Sequence, residues 1–167
     1  DTWWQTETGG VIISAIPFVT PTKPTYASLP LPGIKPVLMD ELRNEIEVNQ
    51  KIGNLCIEMP WPGIARTIWG DHQRFIDTYF TTFPGKYFSG DGALRDEVGY
   101  YRITGRVDDV IIVSGHNLGT APIEDAINEH QFIAESAIVG FPHDVKGNGL
   151  YGYVVLKESG EWRDKNN

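Results

Sequence analysis

The 167-residue chain carries 22 acidic against 14 basic side chains, a formal net charge of −8, so it has no basic stripe with which to grip a nucleic-acid backbone. A single cysteine, Cys56, excludes an internal disulfide, and no apolar run approaches the roughly 18 residues a membrane-spanning helix needs. Hydrophobic residues at 41% are enough for a sizeable core, while 18 glycines and 11 prolines demand many turns.

In chain order, DTWWQTETGG (Asp1 to Gly10) reads as a binding loop, because it mixes two adjacent tryptophans with three threonines, two acids and a Gly-Gly end. VIISAI (Val11 to Ile16) reads as a buried strand, and Pro17 to Pro36 as a proline-rich loop with short extended pieces. VLMD and GNLCIEMP read as two strands of an antiparallel sheet or barrel, separated by the polar turn ELRNEIEVNQKI. GDHQRFIDTYFTTFPG predicts a helix capped by Asp71, with Phe75, Ile76, Tyr79 and Phe80 on one apolar face and Pro84-Gly85 as its stop.

KYFSGDGALRDEVGYYRITGR reads as a hairpin turning at Asp96 to Gly99. The composition then shifts near residue 108, with Arg106-Val107-Asp108-Asp109 a candidate linker. VDDVIIVSGHNLGTAPIEDAINEH predicts a strand, a Gly-rich turn and a helix, Thr120 as its N-cap and Ile123, Ala126, Ile127 and His130 on one face. Ser136 to Phe141 and Leu150 to Glu158 read as strands, and SGEWRDKNN as a frayed polar tail.

Three stretches could carry chemistry. In TETGG, the Thr6 and Thr8 hydroxyls and the Glu7 carboxylate suit a phosphate accompanied by Mg²⁺, since hard cations choose oxygen ligands; the same residues also suit a polar turn before a strand. Asp91 in SGDGA could accept both hydroxyls of a ribose, with Arg106 meeting a phosphate, or GDG could be a hairpin turn beside a surface arginine. VSGHNLGTAPIE matches neither dinucleotide fingerprint nor P-loop and favours an ordinary strand-to-helix connection. His72, His116, His130 and His143 show no zinc spacing, and His130 at a helix end suits the dipole there. The Trp3-Trp4 pair could equally be core.

Taken together, DTWWQTETGG, YFSGDGALRDEVGYYRITGRVDDVIIVSGHNLGTAPIEDAINEH and ESAIVGFPHDVKGNGLYGYVVLKE closely resemble the acetyl-coenzyme A synthetase family, the AMP-forming acetate–CoA ligases among the adenylate-forming enzymes, from Asp1 to about Glu158. The resemblance implies ATP, CoA and Mg²⁺ as cofactors and acetate as the acid, in a cytoplasmic enzyme, with oligomeric state open. By match to the family's motifs, Asp1, Thr2, Trp3, Trp4, Gln5 and Thr6 would line the nucleotide and acyl site, with Thr6 on the α-phosphate and Trp4 walling a small acyl pocket. Thr6 and Glu7 would be catalytic, Glu7 holding the Mg²⁺ of ATP; Asp91 would take the ribose hydroxyls, and Arg106 and Asn117 the nucleotide. Ser114 and Gly115 would line the pantetheine path of CoA, and Asn128, His130 and Ile133 would hold a structural Mg²⁺ through carbonyls and the imidazole.

The implied fold is α+β: residues 1–107 the barrel-like antiparallel end of a large N-terminal domain, and residues 108–167 the start of a small, mobile α/β C-terminal domain hinged at Asp108. Three positions depart from the family pattern: Asn117 where arginine is usual, Pro122 for glutamate and Gln131 where proline is common. The family's upstream phosphate loop and downstream lysine have no counterpart in this sequence, so the chain alone is expected not to turn over. The alternatives are a ligase for propionate or another short acid, a non-catalytic module binding AMP or an acyl-adenylate, or a plain interaction domain.

Overall fold

Continuous apolar runs such as VLM and LCI suit strands covered on both faces. Val37, Leu38 and Met39 of β3 (Pro36–Met39) and Leu55, Cys56 and Ile57 of β4 (Gly53–Ile57) are all buried. Leu38, Leu55 and Ile57 join one cluster with Trp3, Trp61, Tyr87 and Tyr101; Val37, Met39 and Cys56 face the other way, onto Phe83 and Phe88. The computed structural model describes residues 1–114, 116–143 and 147–157, the side chains at 112, 116 and 117 excepted. The chain divides into two units, Asp1–Val107 and Asp108–Asn167, and its mixture of helices and antiparallel sheets is the α+β class expected from the sequence.

In the first unit, β3 and β4 continue into β5 (Tyr87–Arg95) and β6 (Tyr101–Arg106), an antiparallel sheet in the order β3-β4-β5-β6. The buried Tyr101 hydroxyl donates to the Pro36 carbonyl at 3.1 Å, tying the last strand to the first. The hairpin turns where expected: Asp96 accepts the Val98 and Tyr100 amides at 3.0 and 2.8 Å and pairs with Lys23 at 2.8 Å. Burial opposes that charge, yet these donors outweigh it and hold the Asp96 carboxyl below its ordinary range. The helix α1 (His72–Phe80) also forms as expected, its first turn closed by the Arg74 amide donating to Asp71 Oδ1 at 3.0 Å.

The amino-terminal segment differs from its reading. Val11 to Ile16 is not one strand: only β2 (Ile13–Ser14) pairs, antiparallel with a second short strand, β1 (Thr2–Trp3). Between them Thr6–Thr8 make a 3₁₀ turn, closed by Gly9 in the left-handed region at φ 71°. A Cβ on Gly9 would lie 2.0 Å from the Gly63 carbonyl oxygen, so this tight passage of two backbones excludes any side chain.

The second unit holds β7 (Ile111–Val113), β8 (His116–Leu118), α2 (Thr120–Asn128), β9 (Ile133–His143) and β10 (Gly147–Leu156). Its strand order is β8-β7-β10-β9 with every neighbouring pair antiparallel, so β7 and β9, joined through α2, run parallel with β10 between them. Two local readings are corrected. The stretch before the helix is a β7–β8 hairpin rather than a direct strand-to-helix turn, and Gly119, not Thr120, is the N-cap. Glu124 fastens α2 to β9, its carboxylate accepting the Ile138 amide at 2.8 Å and its carbonyl the Ser136 hydroxyl at 3.2 Å. The expected polar tail lies outside the described residues.

Two outcomes follow from this packing. Gly9→Ala lowers the stability of the first unit by at least about 2 kcal/mol, whereas Gly10→Ala, with open space around it, changes it by less than about 0.5 kcal/mol; urea denaturation followed by circular dichroism separates the two. Burial pushes the Cys56 thiol up to about 12, against the smaller opposing pull of Lys86. Iodoacetamide at pH 8.5 therefore leaves Cys56 unmodified in the folded chain and alkylates it in urea. Because the folded value is the raised one, this contribution to stability is whole below the thiol's ordinary range and fades as pH climbs through about 12.

Candidate functional site

Asp91 is the centre of the first unit's polar residues. It lies within β5 rather than in a hairpin turn, directly across the ladder from Arg106 of β6. Although only 7% exposed, it is well partnered: its Oδ2 accepts the Trp3 indole N–H at 2.9 Å and the Gln5 amide at 3.0 Å. Its own N–H donates to the Ser89 hydroxyl at 3.0 Å, and its Oδ1 lies 3.5 Å from Arg106 Nη1. Arg106, about half exposed, also donates to the Ser89 carbonyl at 3.1 Å. The approach depends on Gly90 at φ 74°, since a Cβ there would meet the guanidinium carbon and both its terminal nitrogens within 3 Å. A shift of register between Gly92 and Ala93 in this strand pair places a bulge beside the acid, a device that commonly re-aims side chains at sites.

Gln5 extends the network. Its amide donates to the Ser89 carbonyl at 2.8 Å as well as to Asp91, and its Oε1 accepts the Tyr87 hydroxyl at 2.8 Å. Glu7 is reached through a second tyrosine, whose hydroxyl (Tyr79) donates to Glu7 Oε1 at 2.5 Å. Burial, then the hydrogen bond and charge of Glu7, push the Tyr79 phenol up to about 12; burial foremost also raises Tyr87. The loop backbone is fixed at the middle and the last residue of the turn: Ala65 N–H donates to the Glu7 carbonyl at 2.7 Å and Trp61 Nε1 to the Thr8 carbonyl at 2.8 Å.

Of the candidates in this unit, Trp3, Gln5, Asp91 and Arg106 meet in one network, with Glu7 joined to it through the tyrosines. The other loop candidates differ in role. Thr2 spends its hydroxyl on the Ile13 carbonyl at 3.1 Å; Trp3 is core and Trp4 is 57% exposed; Asp1 and Thr6 are exposed. The reading missed Tyr79, Tyr87 and Ser89. The two tyrosines were findable, because a tyrosine on an apolar face must place its hydroxyl on some partner.

In the second unit, Ser114 follows β7, exposed and left-handed at φ 50°. Gly115 and the side chain of Asn117 lie outside the described residues. Asn128 ends α2, and His130 and Ile133 share the turn into β9, where the Ile133 amide donates to the His130 carbonyl at 3.0 Å and the Phe132 amide faces His130 Nδ1 at 3.4 Å. Among the described residues no three His, Cys, Asp or Glu side chains cluster as a metal site, and no helix is long and apolar enough to cross a membrane. A cation beside Glu7 would thus find no cage of three such side chains and would draw further oxygens from a ligand or water, the arrangement Mg²⁺ commonly takes beside phosphates.

The geometry has close counterparts. The chain is 58% identical to the acetyl-coenzyme A synthetase of Caulobacter vibrioides over 98% of its own length and 25% of that protein's. It is 59% identical to that of Shewanella halifaxensis over 93% of this chain and 24% of the relative. It therefore spans about a quarter of the curated relatives it matches. Residues 122–166 match the family model for the AMP-binding enzyme C-terminal domain. The crystal structure of ATP-bound MatB from Rhodopseudomonas palustris is similar at TM-score 0.81 and 26% identity, over 97% of this chain and 31% of that one. The resemblance seen in the sequence thus holds along nearly the whole chain.

Trp3→Phe, which keeps an aromatic ring but removes the indole donor to a buried carboxylate, lowers stability by about 1.5–3 kcal/mol. Trp4→Phe, at an exposed ring, stays within about 0.5 kcal/mol, as read by urea denaturation with circular dichroism.

Proposed function

We propose that this chain supplies the ribose-binding and magnesium-binding part of an AMP-forming acetate–CoA ligase, together with the start of its mobile C-terminal domain. The observation that carries the reading is the Asp91 network, in a sequence so close to acetyl-coenzyme A synthetases. A carboxylate already held on one oxygen by indole and amide donors, beside a guanidinium, suits a vicinal diol next to a phosphate. Its charge is kept partnered while it waits, so the bound state needs little rearrangement.

In this reading the enzyme activates acetate with ATP, forms an acetyl-adenylate, and transfers the acetyl group to the thiol of CoA. Asp91 orients the ribose and Arg106 draws the nucleotide's charge. Thr6, exposed on its 3₁₀ turn, offers a hydroxyl to the α-phosphate, and Glu7 would hold the Mg²⁺ of ATP. When bound, that cation would offset the phosphate charge that grows as the acid attacks. Trp4 would limit the acyl pocket to acetate, its exposed indole covered by parts of the ligase beyond this chain.

Asp108, first residue of the second unit, would be the hinge, a few residues absorbing the domain's rotation. Ser114 and Gly115 would then line the pantetheine path, Asn117 would meet the nucleotide as a neutral amide, and Asn128, His130 and Ile133 would hold a structural Mg²⁺ through carbonyls and the imidazole. A cytoplasmic location fits substrates of this class.

Calorimetric titration of the chain with AMP and with a non-hydrolysable acetyl-adenylate analogue, with and without Mg²⁺, tests the reading. Binding is expected, and Asp91→Ala weakens it roughly 10- to 100-fold by removing a charged hydrogen-bond partner. Equal binding by both forms would sink the ribose assignment.

A further inference from the structure

We propose that Tyr79 is a positioning residue for Glu7: its hydroxyl engages one carboxylate oxygen, Oε1, and so fixes the other, Oε2, as the oxygen offered to the divalent cation of a bound nucleoside triphosphate. This rests on the reading of Glu7 as a cation ligand.

The geometry is specific. Tyr79 sits in the last turn of α1, and its hydroxyl reaches Glu7, 72 residues away in sequence, at 2.5 Å. The ring is not free to swing. It stacks on Tyr87 with centroids 5.3 Å apart and planes 16° from parallel, and it contacts the buried Phe75 ring at 5.5 Å. Tyr87 is itself anchored, being 2% exposed with its hydroxyl on Gln5. The two tyrosines therefore hold, side by side, the two polar side chains that flank Thr6 in the loop.

Glutamate otherwise has rotamer freedom to lose on gripping an ion, and a loop acid with both backbone and side chain fastened has lost most of it beforehand. The Glu7 backbone is fastened by the Ala65 amide and its side chain by Tyr79. In that contact the phenol O–H is the donor and the carboxylate oxygen the acceptor. The ring packs on those of Phe75 and Tyr87, so phenylalanine would preserve this packing and remove the hydroxyl alone.

That exchange defines the test. In the 167-residue chain labelled with ¹³C at glutamate, side-chain relaxation and rotamer-sensitive couplings report Glu7 directly. In Tyr79→Phe, Glu7 is expected to pass from one rotamer to an average of several, while the far-ultraviolet circular dichroism is unchanged. In the longer ligase, Tyr79→Phe is expected to raise the Mg²⁺ concentration at half-maximal ATP–pyrophosphate exchange about five-fold, the worth of one hydrogen bond, with AMP affinity measured without Mg²⁺ unchanged. Tyr87→Phe, whose hydroxyl serves Gln5, should leave Glu7 in its single rotamer. Unaltered Glu7 rotamers and an unaltered Mg²⁺ requirement in Tyr79→Phe would overturn the inference. Glu7→Gln with an unaltered Mg²⁺ requirement would instead remove the reading of Glu7 as a cation ligand, and the rotamer measurement would still decide whether Tyr79 holds it.

Discussion

The first unit is organised around one buried carboxylate that must keep its charge partnered. Asp91 lies on a strand packed into the core, where an isolated charge would be costly. Trp3, Gln5 and Arg106 surround it with donors, and each of these groups is fixed by something else. Trp3 is held in the apolar cluster, Gln5 by Tyr87 and Ser89, and Arg106 by the strand facing Asp91. The constraint runs both ways: the site keeps its geometry because the core is packed, and the amino-terminal segment docks because the acid needs its donors.

A second consequence is that aromatic rings here do structural and polar duty together. Trp3, Trp61, Tyr87 and Tyr101 are buried as apolar bodies, yet each sends an N–H or O–H to an oxygen it can satisfy. An aliphatic core would fill the same volume, but it would leave the loop carbonyls and the Asp91 carboxylate without those donors. The edge-on contact of Trp61 with Tyr87 at 5.6 Å and the stack of Tyr87 on Tyr79 then carry this order from the loop to α1.

Much of the fold was legible from local signals. The Asp71 cap, the strands around Leu38 and Leu55, and the hairpin turn at Asp96 each follow from residues close together in sequence. Where the reading failed, the deciding interaction was tertiary or a matter of backbone geometry. Val11 to Ile16 is apolar enough for a strand, but only Ile13 and Ser14 are paired in register with β1, which is two residues long. The β7–β8 hairpin was hidden because SGHNLG has the turn residues of a helix entry as much as those of a hairpin. For the site, composition and spacing offered only open alternatives at TETGG and GDG; the family resemblance named residues, and the coordinates show how they meet. The tyrosine hydroxyls went unread because their partners lie 72 and 82 residues away along the chain.

Those long separations also set an order of events during synthesis. Trp3 and Asp91 are 88 residues apart, so the donor emerges well before its acceptor exists. At a translation rate of roughly 5–20 residues per second, that interval lasts about 4–18 s. For most of it the two adjacent tryptophans and the Thr-Glu-Thr turn lack both the aromatic helix, which is complete only at Phe80, and the hairpin that follows it. The segment that opens the site can therefore be seated only once β5 has been made, since the partners of its indole and its amide, Asp91 and Ser89, lie on that strand.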